Sequence, residues 1–571
     1  MKAKYIFSAI AFALISLTSC SDFLDEHPKG QLKPEGFIDS QKALDAVVDA
    51  LYFQVQQSQC NSNPCITQCQ GDDMTSTTGS NKPAYLSADA FEVPTDEKGL
   101  TNLWNWQYNI IQAANLIIDN ADDAQGNVSD ENIAIAKGQA YFWRAQAYFQ
   151  LVRIFGPLPL NLHNEADGNA TPLSPVEEVY TRIVSDLQEA EKCNLPAKYT
   201  KTNQAIGDMN IFVSEQAVKS ALAAVYMNMA GFPLNKTEYY ATAADKAKEV
   251  VDGVKSGKYP HGLCSSWADV YSYGNNFSKE CIVGIVYKSQ PGGWSNYDSQ
   301  FTSCHQLGSL GGWGDFLAER YFWSLFPDGP RKDYVYAKQI RTGDGYNNTL
   351  VDWWATTDGL PYNGKSGDES NAVVNEYRPM FVAFTVNAGE GNSPLAQPYD
   401  PALPFWGNMC LNKTHQVIRY SEVLLWFAEA SARAGKYTAE AKAALEEVQA
   451  RAYTNPAACN NADVAEAAYK EHGYEVAGYP FALVSRRADE FRMNRLKEAY
   501  DYRVGPQSAV LVPAGTLTHS VKKDGTPFTY TLTADVVLKE NMPVTAAWNG
   551  DNSIYQIYPT TETEKNPNLK R

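Results

Sequence analysis

Apolar positions recur at helical spacing over long stretches of the chain. Residues 133–155 carry Ala140, Trp143, Ala147, Leu151 and Ile154 on one stripe. Gly156-Pro157-Leu158-Pro159 then stops the helix, because proline cannot continue it and restricts the residue before it. A second helix is predicted over 175–191, with Val176, Tyr180, Ile183, Leu187 and Ala190 on its apolar face. Ser174 fits its cap, Pro175 its first turn, and Glu177 completes a capping box. Two helix pairs follow: 214–229 with 238–251 across Gly231-Phe232-Pro233, and 417–434 with 438–452 across Gly435-Lys436. Small residues at crossing positions (Ala221, Ala224, Ala230, beside Tyr226) give these pairs a tetratricopeptide-like character. The period is irregular, so a clean solenoid is not expected. Trp143, Tyr148, Tyr226 and Trp426 lie within helical runs and read as core.

The pattern changes over 253–413, where Gly, Asn, Asp, Ser and aromatic residues displace helical periodicity. Gly292-Gly293-Trp294-Ser295-Asn296-Tyr297, Gly311-Gly312-Trp313-Gly314 and Asp352-Trp353-Trp354 are examples. A similar stretch covers 60–99. Loops this long on a helical scaffold are where function concentrates. Near the end, 509–539 alternates Val, Thr and Tyr around Lys523-Asp524-Gly525-Thr526, a hairpin signal. The expected fold is mostly α, one helical body with a large loop-rich face.

Composition adds what the pattern cannot. The chain has 571 residues, 44% of them apolar and 20% charged, as in a globular protein. Its net charge of −17 argues against a general nucleic-acid binder, which needs Lys and Arg to meet phosphates. With 34 Tyr and 12 Trp against 23 Phe, the aromatics favour rings that carry a polar handle. No G-x-S-x-G elbow, H-E-x-x-H or phosphate-loop motif is present. A glycosidase needs two carboxylates about 5–10 Å apart, a distance no motif reports.

The first residues read as a leader: Lys2 and Lys4, then an apolar stretch from Tyr5 to Leu17, shorter than the roughly 20 residues of a transmembrane helix. Leu17-Thr18-Ser19-Cys20 resembles a bacterial lipobox, making 1–19 a lipoprotein signal peptide and Cys20 the lipidated first residue of a single domain over 20–571. Losing Lys2 and Lys4 takes the net charge from −17 to −19. The acidic run Ser21-Asp22-Phe23-Leu24-Asp25-Glu26 resembles surface-export signals of Bacteroidetes lipoproteins. Nine further cysteines remain, an odd number; Cys60, Cys65 and Cys69 form the only cluster and read as a loop staple, with one disulfide allowed, rather than a zinc site.

Three phrases then carry a family resemblance. They are Ala136 to Phe149 running on to Gly156-Pro157-Leu158-Pro159, Ile418 to Ala430, and Ile557-Tyr558-Pro559 with Asn566-Pro567-Asn568-Leu569. Together they resemble the SusD/RagB family of outer-membrane nutrient-binding lipoproteins. One family phrase is degenerate here, around Lys497-Glu498-Ala499-Tyr500-Asp501. The resemblance implies a non-enzymatic, lipid-anchored protein on the outside of the outer membrane. It also implies a SusC-like TonB-dependent transporter as partner and a glycan fragment as cargo. Sugar C–H faces pack on aromatic rings, and Asp, Asn and Arg take the hydroxyls. The foremost contact is Trp313, set among glycines where starch-binding members place a stacking ring. Trp294, Tyr297, Tyr85, Asp72, Asp73, Arg378 and Tyr399 are further candidates; the competing role of each aromatic, Trp313 included, is to pack the loops together, and that of Asp72-Asp73 is a solvated turn after Gly71. No cofactor is expected; Asp344-Gly345-Tyr346-Asn347-Asn348 reads as a turn, although its oxygens suit a structural calcium ion. The competing reading is a structural or adhesive surface lipoprotein without a sugar site.

Overall fold

Ten of the helices among the described residues form the scaffold used below, α1 to α10. In chain order they are Gln41–Ser58, Lys98–Asn120, Asp130–Phe155, Val176–Lys192, Glu215–Ala230, Tyr239–Lys255, Tyr420–Ala434, Thr438–Ala452, Val464–Glu475 and Arg486–Arg492. They belong to a computed structural model that describes residues 37–60, 63–76, 83–164, 170–271, 277–287, 315–337, 339–342, 346–347, 349–359, 378–381, 383–384, 413–504, 509–539 and 547–569.

Central α3 shows why these segments are helical. Ser129 caps it by accepting from the Asn132 N–H, and Asp130 and Glu131 complement the positive end of the helix dipole. Gly156, at φ 73°, ends it in the left-handed region that a side chain disfavours. From Ile133 onward α3 is largely buried between α2 and α4. At α4 the expected capping box is absent: Pro175 takes the cap position with no side-chain hydrogen bond. Ser174 instead pairs with Leu158 in a two-residue strand, and Glu177 reaches across to Lys236.

Helices α5 and α6 pair as expected, α6 packs on α7, and α7 packs on both α8 and α9. The α5–α6 connection is tight because Gly231 lies against α10; a Cβ there would stand 2.2 Å from the Arg492 carbonyl oxygen. The Phe232 N–H donates to that same oxygen at 2.7 Å. Trp143, Tyr148, Tyr226 and Trp426 are all buried, as their helical positions predict.

Helix α7 begins at Tyr420, not at 417. The residues before it form a strand, His415–Arg419, antiparallel to Cys281–Ile285. Helical spacing and β-branched Val417 and Ile418 overlap here, and the pairing partner lies far away in sequence. In the C-terminal part Leu517–Val521 and Pro527–Thr531 form the expected hairpin, and Ala509–Val512 with Val536–Lys539 form a second, separate two-stranded ladder. A satellite core of Trp353, Trp354, Val351, Val521 and Leu538 lies beneath. Among the described residues no helix is long and apolar enough to cross a membrane.

The scaffold also encloses charge. Glu475, at the end of α9, meets Arg331 at 2.9 Å, Arg419 at 2.7 Å and Arg451 at 2.9 Å. Burial alone would raise its pKa, but the three guanidinium groups outweigh it and hold the carboxyl far below the ordinary range. Nearby, Arg492 makes a two-pronged pair with Glu429 at 2.8 and 2.6 Å.

Candidate functional site

A 3₁₀ helix over Asn63–Gln70 buries Cys65 and Cys69 and delivers the chain to Gly71-Asp72-Asp73. Strand β1, Met74–Thr75, follows and pairs antiparallel with β2, Leu317–Ala318. The chain therefore leaves this ladder at Ser76 and enters it at Phe316 from the same end. Two loop-rich regions that are remote in sequence depart from one place. Tyr85 stands here edge-on to Phe316, centroids 5.6 Å apart, and is 5% exposed.

The two aspartates beside the ladder have different fates. The Asp73 carboxylate, 1% exposed, accepts the Gly478 N–H at 2.7 Å through Oδ2. Burial, helped by the neighbouring Asp72 charge, pushes its pKa up to about 7 against the opposing pull of Gly478 and Arg486. Asp72 instead forks onto Arg486, at 2.7 and 2.8 Å. Its N–H donates to Glu490 Oε2 at 3.2 Å. Burial, and then Asp72, raise the Glu490 pKa well above the carboxylate range.

The Asp72–Arg486 pair forms part of the wall of an open cleft of about 280 Å³. Tyr321 and Tyr502 form one side, stacked with centroids 3.8 Å apart and planes 20° from parallel. Tyr469 and Tyr474 of α9 form another, with Arg486 5.0 Å and Arg495 4.6 Å from the Tyr469 ring. A larger recess of about 550 Å³ shares Lys470 and Tyr474 and adds Asn455 and Asn460. Tyr469 is buried, but the half-buried rings of Tyr321, Tyr474 and Tyr502, lining one cleft with a fixed carboxylate–guanidinium pair, can stack a flat apolar face while the pair directs hydrogen bonds to hydroxyls. Among the described residues no group of three or more His, Cys, Asp or Glu is arranged to hold a metal ion.

Of the candidates from sequence, Asp72 lines this cleft, Asp73 and Tyr85 are buried beside the ladder, and Arg378 is buried next to a two-residue strand, Met380–Phe381. Cys20, Trp294, Tyr297, Trp313 and Tyr399 lie outside the described residues, as do Asp344, Gly345 and Asn348. Tyr321, Tyr469, Tyr474, Tyr502, Arg486 and Arg495 were not anticipated. Tyr321 had a signal, in the aromatic run Arg320-Tyr321-Phe322-Trp323.

Known proteins share this architecture. Residues 22–227 match a SusD-like family described as starch-binding and associating with the outer membrane, and residues 279–571 match the SusD family. A SusD-like protein of Bacteroides ovatus is 29% identical over 296 residues, covering 50% of this chain and 50% of that protein. SusD-like protein P2 of Formosa agariphila is 24% identical over 459 residues, 77% of this chain and 80% of its own. A SusD homologue from Bacteroides thetaiotaomicron superposes with a TM-score of 0.68 at 17% identity, over 94% of this chain and 97% of the other. A structure with xylogluco-oligosaccharide gives 0.63 at 17% identity, over 93% and 98%. Surface glycan-binding protein A of Bacteroides thetaiotaomicron, in complex with laminarihexaose, gives 0.57 at 18% identity, over 80% and 91%. At these identities the superpositions speak for the fold, and the sequence match over more than half the residues speaks for descent: the chain belongs to the SusD family, whose members are carbohydrate-binding proteins, not enzymes.

Proposed function

We propose that this protein captures oligosaccharides at the bacterial surface and passes them to a SusC-like TonB-dependent outer-membrane transporter. The observation that carries the reading is the β1–β2 ladder, which gathers both loop-rich segments at one end, close to the tyrosine-walled cleft. Relatives described with laminarihexaose and xylogluco-oligosaccharide support a glycan as the cargo. Trp313 is the foremost candidate for a stacking ring, and Trp294, Tyr297 and Tyr399 are further candidates. Tyr321 and Tyr502 extend the stacking surface, and Asp72 with Arg486 takes hydroxyls. Shallow stacking gives reversible binding, which suits a protein that must release its ligand. The lipid on Cys20 holds it to the outer membrane, facing outward.

Affinity electrophoresis in starch, fructan, xyloglucan and laminarin gels tests this. Wild type is retarded by at least one of them, Trp313→Ala loses the retardation, and the protein copurifies with a barrel from detergent-solubilised outer membranes. Retardation unchanged by Trp313→Ala removes that contact. Retardation by no glycan in a wide panel overturns the capture reading, and absence of a barrel overturns the hand-over.

A further inference from the structure

A second space differs in kind from the tyrosine cleft. It is a polar cavity of about 60 Å³ between α1, α2, α3 and the segment entering α10. One water needs about 10–15 Å³ by this measure, so it has room for a few waters or one tetrahedral ion.

Its wall holds two arginines, Arg153 at 7% and Arg487 at 2% exposure. The Arg153 guanidinium lies 3.7 Å from the Phe149 ring centroid, and its Nε donates to the Phe149 carbonyl at 2.8 Å. Its Nη1 is buried with no acceptor. Arg487 donates to the Gln70 side-chain oxygen and the Ile554 carbonyl at 3.1 Å each, and to the Arg153 carbonyl at 3.4 Å. Every one of these acceptors is uncharged, and among the described residues neither arginine forms an ion pair.

The neighbouring carboxylates are committed elsewhere. Asp489 is held by His472 and, at 2.8 Å, by Arg492; Glu490 accepts from the Asp72 N–H and faces Arg486. Burial lowers both arginines to about 10, and Arg153 adds to the lowering of Arg487, so both remain cationic at neutral pH. Gln146, 8% exposed, completes the wall with both side-chain amide atoms unpartnered. Half-buried Gln59 and Gln150 also line the space and connect it to the surface.

Two like charges buried together, with the Arg153 Nη1 and the Gln146 amide as unfilled donors, make a site that lacks its counter-charge. We propose that the cavity binds one compact oxyanion, of phosphate or sulfate size, between Arg153 and Arg487 with the Gln146 amide as a further donor. Planar guanidinium groups match oxyanion geometry and form short charge-assisted hydrogen bonds. This site is separate from the glycan face, and the proposal does not rest on the glycan reading.

Equilibrium dialysis of the full chain against radiolabelled inorganic phosphate, with a parallel sulfate arm, tests the proposal. One equivalent is retained, and phosphate raises the thermal midpoint relative to chloride at matched ionic strength. Arg153→Met abolishes retention; Gln146→Leu, which keeps both charges, weakens it by about tenfold. If Arg153→Met fails to fold, Gln146→Leu decides. Absence of saturable retention of either anion, or affinity unchanged in the folded variants, overturns the proposal and leaves a cavity of water.

Discussion

Arginine and carboxylate meet in two regions of this molecule with opposite consequences. Around Glu475 the pairing is sealed inside the scaffold, with three arginines on one carboxylate and almost no access to solvent. At Asp72 a single arginine forks onto a carboxylate whose side chain is 23% exposed, in the wall of an open cleft. The first arrangement can only hold helices together. The second holds a loop in place and still presents oxygen and nitrogen atoms to a visitor. Enclosure, more than residue type, separates a structural ion pair from one that can also serve binding.

The sharpest way to break this contrast is at its buried end. Glu475→Gln leaves three buried guanidinium groups short of a counter-charge and costs about 3–5 kcal/mol, read from urea unfolding. Glycan affinity of the protein that remains folded should be unchanged. A loss of affinity without loss of stability would erase the distinction.

Asp73 lies between the two regions and gives an effect of a few kcal/mol. Its folded-state pKa is raised to about 7 from the ordinary 3.8. The protonated form therefore supports the fold in full below about pH 3.8, and that support is lost as pH rises through 7. Asp73→Asn should gain stability over wild type progressively from pH 4 to 7, by up to about 1.4 kcal/mol per pH unit, and level off above. Parallel stability–pH curves for the two proteins would show that Asp73 ionises as an ordinary surface carboxyl.

The smallest effect is expected at the open end. Tyr502→Ala removes half of the stacked pair with Tyr321, weakening glycan binding by about tenfold or less while leaving the unfolding midpoint nearly unchanged. Isothermal titration with the best-retarding oligosaccharide measures it, and unchanged affinity would take this cleft out of the glycan surface.

Much of the scaffold was legible because helical spacing is a local signal. The 438–452 helix matches the structure residue for residue, and 133–155 misses only its first turn. The failure at 417–419 is equally physical, since a strand is defined by its partner and Cys281–Ile285 is too distant to be seen locally. Ser174 failed as a cap for the same reason, its backbone being taken by Leu158. The cleft was harder still: Asp72, Tyr321, Tyr469, Arg486 and Tyr502 come from separate segments, and only folding makes them neighbours. Asp72 and Asp73 are adjacent and alike in sequence, yet one faces the cleft and the other the interior.

The β1–β2 ladder has a kinetic consequence. It joins residues 74–75 to 317–318 by a two-residue pairing, and the Asp72–Arg486 fork beside it spans 414 positions. Closing such long loops costs entropy that so few bonds repay only once the surrounding helices are in place. The face proposed to bind glycan is thus among the last parts to assemble. An incomplete or half-folded chain lacks it, so the ability to hold cargo arrives only with the finished molecule.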